Sequence, residues 1–175
     1  LGLPWRSAAG SASNTTDMQA ATETAMGLWG ALMAEATLVV HAAGWLEGGL
    51  TFGFEKFVAD CVALETLAEL ARTPESDPEA FDAIAAVPPA GHFFGAAHTM
   101  ARYRSAFHPP LLSDFRPFGT WAEDGAVPSE ARATALWQAR IADAPPPAHG
   151  GDAAERLAPW IERRRAAGGM EPAGT

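Results

Sequence analysis

Thiols are nearly missing from this chain: Cys61 is the one cysteine in 175 residues, so no internal disulfide can form and no thiolate-rich metal site can be assembled. Reducing surroundings fit that usage, and a cytoplasmic location is expected. Long apolar runs are missing too, since none approaches the roughly 20 residues that a membrane span needs. No basic stretch followed by an apolar core suggests a secretory signal. Basic residues are scarce, twelve against twenty-one acidic, for a net charge of −9. That balance argues against a nucleic-acid partner, because phosphate neutralisation requires clustered Lys and Arg. It suits a cationic small molecule better. Proline is scarce at the start: of fourteen, only Pro4 lies before residue 74, so the first part is expected to be regular and the second punctuated.

What is present fits a globular protein with one sizeable core, at 48% hydrophobic and 19% charged residues. Residues 1–110 hold five basic and twelve acidic side chains, the rest seven and nine, so the acidic excess sits in the first part. The organising stretch is Thr37–Lys56, TLVVHAAGWLEGGLTFGFEK. It opens as a β-branched apolar strand, delivers His41 to the strand end, and continues into a Gly-rich loop carrying Trp45, Glu47, Phe52 and Phe54. After Glu55 the pattern turns helical. Strand, chemistry-laden loop and helix in that order describe one βα unit.

Ahead of it, Leu1–Arg6 reads as a strand end. Ser7–Thr15 reads as a small, polar loop that lets a ligand approach backbone. A capping box at Thr16 and Gln19 opens a helix to about Ala34. Its apolar stripe is Met18, Ala21, Ala25, Leu28 and Leu32, widened by Met26, Trp29 and Met33. Gly27 and Gly30 weaken that helix unless they permit close packing. Two successive βα units imply a parallel sheet. The helix after Glu55 is expected to bury Phe57, Cys61, Leu64 and Ala68, with Val58, Leu67 and Leu70 beside them, which makes Cys61 a packing residue. Further on come a short helix capped by Asp77, a helix from about Ala97 to Phe107, another over Pro128–Ile141, and a last one over Asp152–Ala167 that Pro159 should kink or shorten. Ala144–Gly151 reads as a Pro/Gly linker. The expected division is 1–110 and a helical extension over 111–175.

The glycines at 44, 48, 49 and 53 fit neither a P-loop nor a dinucleotide fingerprint. The histidines at 41, 92, 98, 108 and 149 lack zinc-motif spacing, and no nucleophile elbow is present. An aromatic and acidic constellation remains: His41, Trp45, Glu47, Phe52 and Phe54, with Trp5 arriving from the preceding strand and His92, Phe93 and Phe94 from the later loop. Aromatic faces attract quaternary ammonium groups and a carboxylate balances the remaining charge, so a methylated amine is a sensible ligand. The plainer alternative is that the phenylalanines close a core and that His41 is a satisfied core histidine. Glu47, among apolar neighbours, is expected to be buried and to need a partner.

The strings GLPWR, TTDMQAATETAMGLWGALMAEATLVVHAAGWLEGGLTFGFEKFVADC and GHFFGAAHTMARYRSAFHPPLLSD resemble the C-terminal third of the trimethylamine methyltransferase family, corrinoid-dependent methyltransferases of methylated amines. The resemblance implies an α/β fold: the last two βα units of a TIM (β/α)8 barrel plus a C-terminal helical extension, mostly helical in this segment. It implies transfer of a methyl group from a tertiary or quaternary amine to the Co(I) of cobalamin carried by a separate corrinoid protein, with no resident metal. Family members acting on trimethylamine carry pyrrolysine, which this sequence lacks, so it is similar to the group associated with quaternary amines such as glycine betaine. His41, Trp45, Glu47 and Phe52 would then bind substrate: His41 and Glu47 for orientation and charge compensation, Trp45 as cage wall. Glu35 stands where a small residue is usual before the last strand, which puts the helix-to-strand turn in question. Alone, the segment would leave strand edges open and is expected to associate with itself; a non-catalytic fragment or docking module is the other expectation.

Overall fold

The computed structural model describes residues 2–74, 76–146, 150 and 152–168. The chain divides into two units, Leu1–Trp137 and Gln138–Thr175. In the first, β1 (Arg6–Ala8) and β2 (Leu38–Val40) pair in parallel, Arg6 opposite Leu38 and Ala8 opposite Val40. The 16-residue α1 (Met18–Met33) crosses between them. A short antiparallel hairpin follows, β3 (Trp45–Leu46) and β4 (Thr51–Phe52), joined by a single 3-10 turn over Glu47–Gly49. Then comes α2 (Phe54–Leu70), packed on α1. Shorter helices complete this unit: α3 (Glu79–Ala85), α4 (Ala97–Arg102), α5 (Phe118–Glu123) and the first part of α6 (Ser129–Ala142). The second unit holds the end of α6 and α7 (Ala153–Ala166). The chain is thus mostly helical with few strands, and its described strands form no closed barrel. Among the described residues no helix is long and apolar enough to cross a membrane.

The start of α1 differs from expectation by one residue. Asp17, not Thr16, is the N-cap: its backbone is extended and its carboxylate accepts from the Ala20 N–H at 2.9 Å. A carboxylate is the stronger acceptor and also gains from the helix dipole. Gln19 is left free to donate to Glu23 instead.

The buried face of α1 is also not the expected one. Ala20, Thr24, Leu28 and Ala31 are buried, while Met18, Met26, Trp29, Leu32 and Met33 are exposed. The small residues face the strands because close approach is needed there: a Cβ on Gly27 would sit 3.2 Å from the Ala9 Cα. Leu28 alone belongs to both the expected stripe and the observed core. A Cβ on Gly30 would meet nothing within 4 Å. The two glycines should therefore respond differently to alanine. Gly30→Ala is expected to raise the denaturant midpoint by an amount corresponding to roughly 0.5–1 kcal/mol. Gly27→Ala should forfeit that gain to crowding against Ala9. Equal shifts would refute the close-packing role.

The turn into β2 keeps its form despite Glu35. Ala36 N–H reaches back to the Ala31 carbonyl at 2.9 Å and Glu35 N–H to Leu32 at 3.0 Å, closing the helix with residue 35 in the left-handed region at φ 51. Glycine is the usual occupant of that position, and Glu35 holds it with the same hydrogen bonds.

On α2 the expected apolar stripe is half-buried or exposed. Its buried residues are Lys56, Val58 and Asp60. Cys61 is half-buried, and burial together with the nearby Glu65 and Asp60 charges pushes its thiol up. In α7 the helix runs through Pro159 without a break. Only one backbone donor, the one that would reach the Glu155 carbonyl, is lost there. His149 and half of the expected linker lie outside the described residues.

Candidate functional site

Both parallel strands end on the same edge of the sheet, and the loops that follow are locked together. Beyond β1, the Ser11 N–H donates to the Trp45 carbonyl at 3.1 Å, while the Ser11 and Ser13 carbonyls accept from Gly48 and Glu47 at 2.9 Å each. Helix α1 secures the same loop from behind. Glu23 accepts from the Ser11 hydroxyl at 2.7 Å and the Ala12 N–H at 2.8 Å, and Asp17 accepts from the Ser13 hydroxyl at 2.9 Å. Ser11 and Ser13 are buried. The polar run expected to admit a ligand is therefore closed against the hairpin and serves as its support.

These contacts hold Glu23 and Asp17 below the ordinary carboxylate range, Glu23 chiefly through the Ser11 hydroxyl and Asp17 chiefly through the Ala20 amide. A depressed folded-state value means stability that is complete above the unfolded carboxylate range of about 4 and lost as pH falls through the folded values. Protection of the Ala12 and Ala20 amides from hydrogen exchange is thus expected to decline on acidification below about pH 4, and to be level above pH 5. Protection unchanged down to pH 2 would contradict it.

His41 follows the last residue of β2 and adopts φ 52, as Glu47 adopts φ 51. Left-handed backbone at such residues is strained and is held only where surroundings fix it. The imidazole lies against the Trp45 indole, ring centres 4.8 Å apart. Trp45 in turn meets the edge of Phe52 at 6.2 Å, directly opposite it in the hairpin. The series continues through Phe54 at 6.0 Å from Phe52 and ends on Trp137 of α6, stacked on Phe54 at 4.8 Å. Glu55 fastens the same contact, accepting from the Trp137 indole at 2.7 Å and the Thr134 hydroxyl at 2.8 Å. These donors lower its carboxyl from the ordinary value, Trp137 first.

Three of the four expected substrate residues, His41, Trp45 and Phe52, therefore form one ring series. Glu47 opens the hairpin tip. It is exposed, contrary to the expected burial, and its carboxylate accepts from the Thr51 hydroxyl at 2.8 Å. The tip lies at the surface because three consecutive residues, Glu47, Gly48 and Gly49, take left-handed backbone and turn the chain outward. Trp5 and His92–Phe94 are not brought into ring contact with this series among the described residues; His92 and Phe94 meet each other at 5.4 Å. Nor do the described residues contain a group of three or more His, Cys, Asp or Glu placed to hold a metal ion.

A second cluster was not anticipated. Lys56, the sole lysine of the chain, is 1% exposed; its ammonium contacts both Asp60 oxygens at 2.5 Å and donates to the Thr24 hydroxyl at 2.7 Å. Asp60 Oδ2 also accepts from the Gly44 N–H at 2.8 Å. Burial pushes the Asp60 carboxyl above its ordinary value, against the pull of Lys56 and of Gly44. The available signal was the i, i+4 spacing of a Lys and an Asp on a helix otherwise rich in apolar residues.

A parallel βα pair with an aromatic wall at the carboxyl ends of its strands is the layout of α/β proteins that hold small molecules at that edge. The sequence profile of the trimethylamine methyltransferase family matches residues 1–169, and the chain belongs to that family. It is similar to the glycine betaine methyltransferase of Desulfitobacterium hafniense (strain Y51), 34% identical over 166 residues, an overlap of 93% of this chain and 34% of that protein. The chain thus spans about a third of the length of this curated relative.

Proposed function

We propose that this chain forms the last two βα units of a (β/α)8 barrel that transfers a methyl group from a tertiary or quaternary amine, of the trimethylamine or glycine betaine type, to the Co(I) of cobalamin on a corrinoid partner protein. The observation that carries the reading is the His41–Trp45–Phe52 ring series at the end of a parallel strand. Family membership supports the methyltransferase class. Barrel completion is supported by the two-stranded sheet, whose strands each keep an unpaired edge among the described residues. Parallel sheets of that size are otherwise found covered on both faces.

In the reaction the cobalt centre is the methyl acceptor and arrives from outside, so this chain's task is to bind and orient. The wall attracts the ammonium through the ring quadrupoles of Trp45 and Phe52, and Glu47 offsets the positive charge. His41, fixed against the indole, limits how the head group can turn. The methyl carbon accepts the electron pair of the metal as its bond to nitrogen breaks and that pair returns to nitrogen. A quaternary substrate leaves as a neutral tertiary amine with no proton to supply. Loss of the cation removes what the rings and carboxylate hold, which favours release. The reducing setting that Co(I) requires matches the expected cytoplasmic location.

The test is an assay of the complete enzyme with reduced corrinoid protein against a panel of methylated amines, following the cobalt spectrum. Trp45→Ala is expected to raise KM for glycine betaine roughly two- to thirtyfold, the equivalent of about 0.5–2 kcal/mol of cation–ring attraction. An unchanged KM would remove Trp45 from the wall. The alternative, a non-catalytic fragment or docking module, draws on the many large apolar side chains left exposed. It predicts that no methylated amine gives turnover while corrinoid protein is still bound.

A further inference from the structure

Asp60 lies behind the mouth on α2, 3% exposed, and methyl transfer as described gives it no task. A buried ion pair is costly to desolvate, and an apolar pair of similar size would hold the two helices as well or better. The Lys56–Asp60 pair nevertheless does something an apolar pair cannot. Its Oδ2 takes the Gly44 N–H at 2.8 Å. A charged acceptor makes that bond shorter and roughly twice as strong as a neutral one.

Gly44 sits at the one turn that separates His41 from Trp45, and several constraints converge on it. Its φ of +83 is a conformation that side-chain-bearing residues rarely hold. The Phe52 ring lies so close to its Cα that an added Cβ would fall 2.2 Å from Phe52 Cε2. Its carbonyl accepts from the Gly53 N–H at 2.9 Å, closing the base of the hairpin. Opposite, Gly10 lets the β1 loop approach, since a Cβ there would meet the Trp45 Cβ at 3.3 Å and the His41 Cβ at 3.9 Å. The amide of Gly44 is the point at which the buried pair reaches the ring-bearing segment. The other end of the pair is anchored in α1 through Thr24 at 2.7 Å. A rigid link thus runs from α1 through Lys56 and Asp60 to the turn between the imidazole and the indole.

We propose that Asp60, held by Lys56, is a positioning residue that fixes the Gly44 turn and so sets the His41 and Trp45 rings as one wall of the mouth. The inference rests on reading that mouth as a site for methylated ammonium. The two double variants that test it, K56M/D60N and K56M/D60L in the complete enzyme, both remove the ion pair; Met is close to Lys in volume, and Asn and Leu keep the branched shape of the aspartate side chain, Leu being the bulkier. Asn retains a carbonyl to accept the Gly44 N–H, whereas Leu retains none. The readouts are KM and kcat for glycine betaine, and the 13Cε1 resonance of His41, assigned by its loss in H41Q. The neighbouring indole displaces that resonance by its ring current.

With Leu at 60, the His41 resonance is expected to move towards its position in W45A and KM to rise about tenfold or more over the Asn variant, with kcat altered far less. Asn should rescue both. Identical resonances and identical KM in the two double variants would overturn the proposal. If the unsubstituted enzyme turns over no methylated amine, the functional reading fails, and the His41 resonance by itself still decides whether Asp60 sets the ring pair. If the Leu variant does not fold, hydrogen exchange of the 42–46 segment in the unsubstituted enzyme decides: Gly44 should be protected about a hundredfold or more, and an amide exchanging as if free would overturn the proposal.

Discussion

Lys56→Met alone is expected to lower stability by about 3–5 kcal/mol, the largest effect of any single substitution considered for this chain. Methionine fills the space of the lysine stem, so the loss does not come from a cavity. It comes from leaving the Asp60 carboxylate buried with only the Gly44 amide for company. Thr24 loses its partner as well. The deficit should depend on pH in a definite direction. Burial already raises the Asp60 carboxyl, and removing the ammonium takes away what opposes the rise. Asp60 in the variant therefore takes up a proton at higher pH than in the parent, and protonation relieves the buried charge. The gap between variant and parent should narrow on acidification and be widest at and above neutral pH. Denaturant midpoints of both proteins between pH 5 and 8 measure it. A pH-independent deficit, or one below about 1 kcal/mol, would mean that the pair is hydrated rather than buried.

Gly44→Ala is expected to be the most damaging change on the site itself. Two costs add. The left-handed backbone at φ +83 costs a residue with a Cβ about 1–2 kcal/mol. The added methyl then meets the Phe52 ring at 2.2, 2.6 and 2.8 Å, so the ring must leave. A displaced Phe52 loses its edge contact with Trp45 and its contacts with Phe54 and Phe57. Stability should fall by about 2 kcal/mol or more. On the function proposed above, affinity for a methylated ammonium should fall further than it does in Trp45→Ala, because two walls move instead of one. Gly48→Ala is the natural comparison: its φ is also positive, at 64, but an added Cβ would meet nothing within 4 Å. Equal affinities in the two alanine variants would show that the Phe52 contact does not matter to the site.

Much of the first unit was legible from residue order alone. Val39 and Val40 announce a strand, and the glycines that follow announce a turn-rich loop. The capping signal and the run from Met18 announce a helix, and the order of these pieces dictates a parallel pair. His41, Trp45 and Phe52 were legible as neighbours because a strand end and a short hairpin leave them little freedom to part. The face of each helix that becomes buried was not legible in the same way. On α1 the large apolar residues suggest the packed face, yet the strands accept the side carrying Ala20, Thr24, Gly27 and Ala31. Close approach to backbone favours small residues over large ones. On α2 only Val58 of the expected apolar positions is buried, and the other buried residues are Asp60 and the only lysine of the chain. Hydrophobic periodicity reports burial against everything a helix touches. Here the described residues leave the large apolar faces of both helices uncovered.

The sequence by itself determined the order of strand, loop and helix, the identity of the rings at the strand end, and the family to which the chain belongs, because these depend on local propensity and on residues near one another along the chain. Only the tertiary structure decided that Ser11 and Ser13 are supports and not an open ligand loop, and that Lys56 and Asp60 reach back to Gly44. Those outcomes depend on distances between residues 16 to 34 positions apart, such as Gly44 to Asp60, Thr24 to Lys56 and Ser11 to Trp45. No periodicity in the chain encodes them, and they are fixed only when α1 and α2 pack together with the parallel strands.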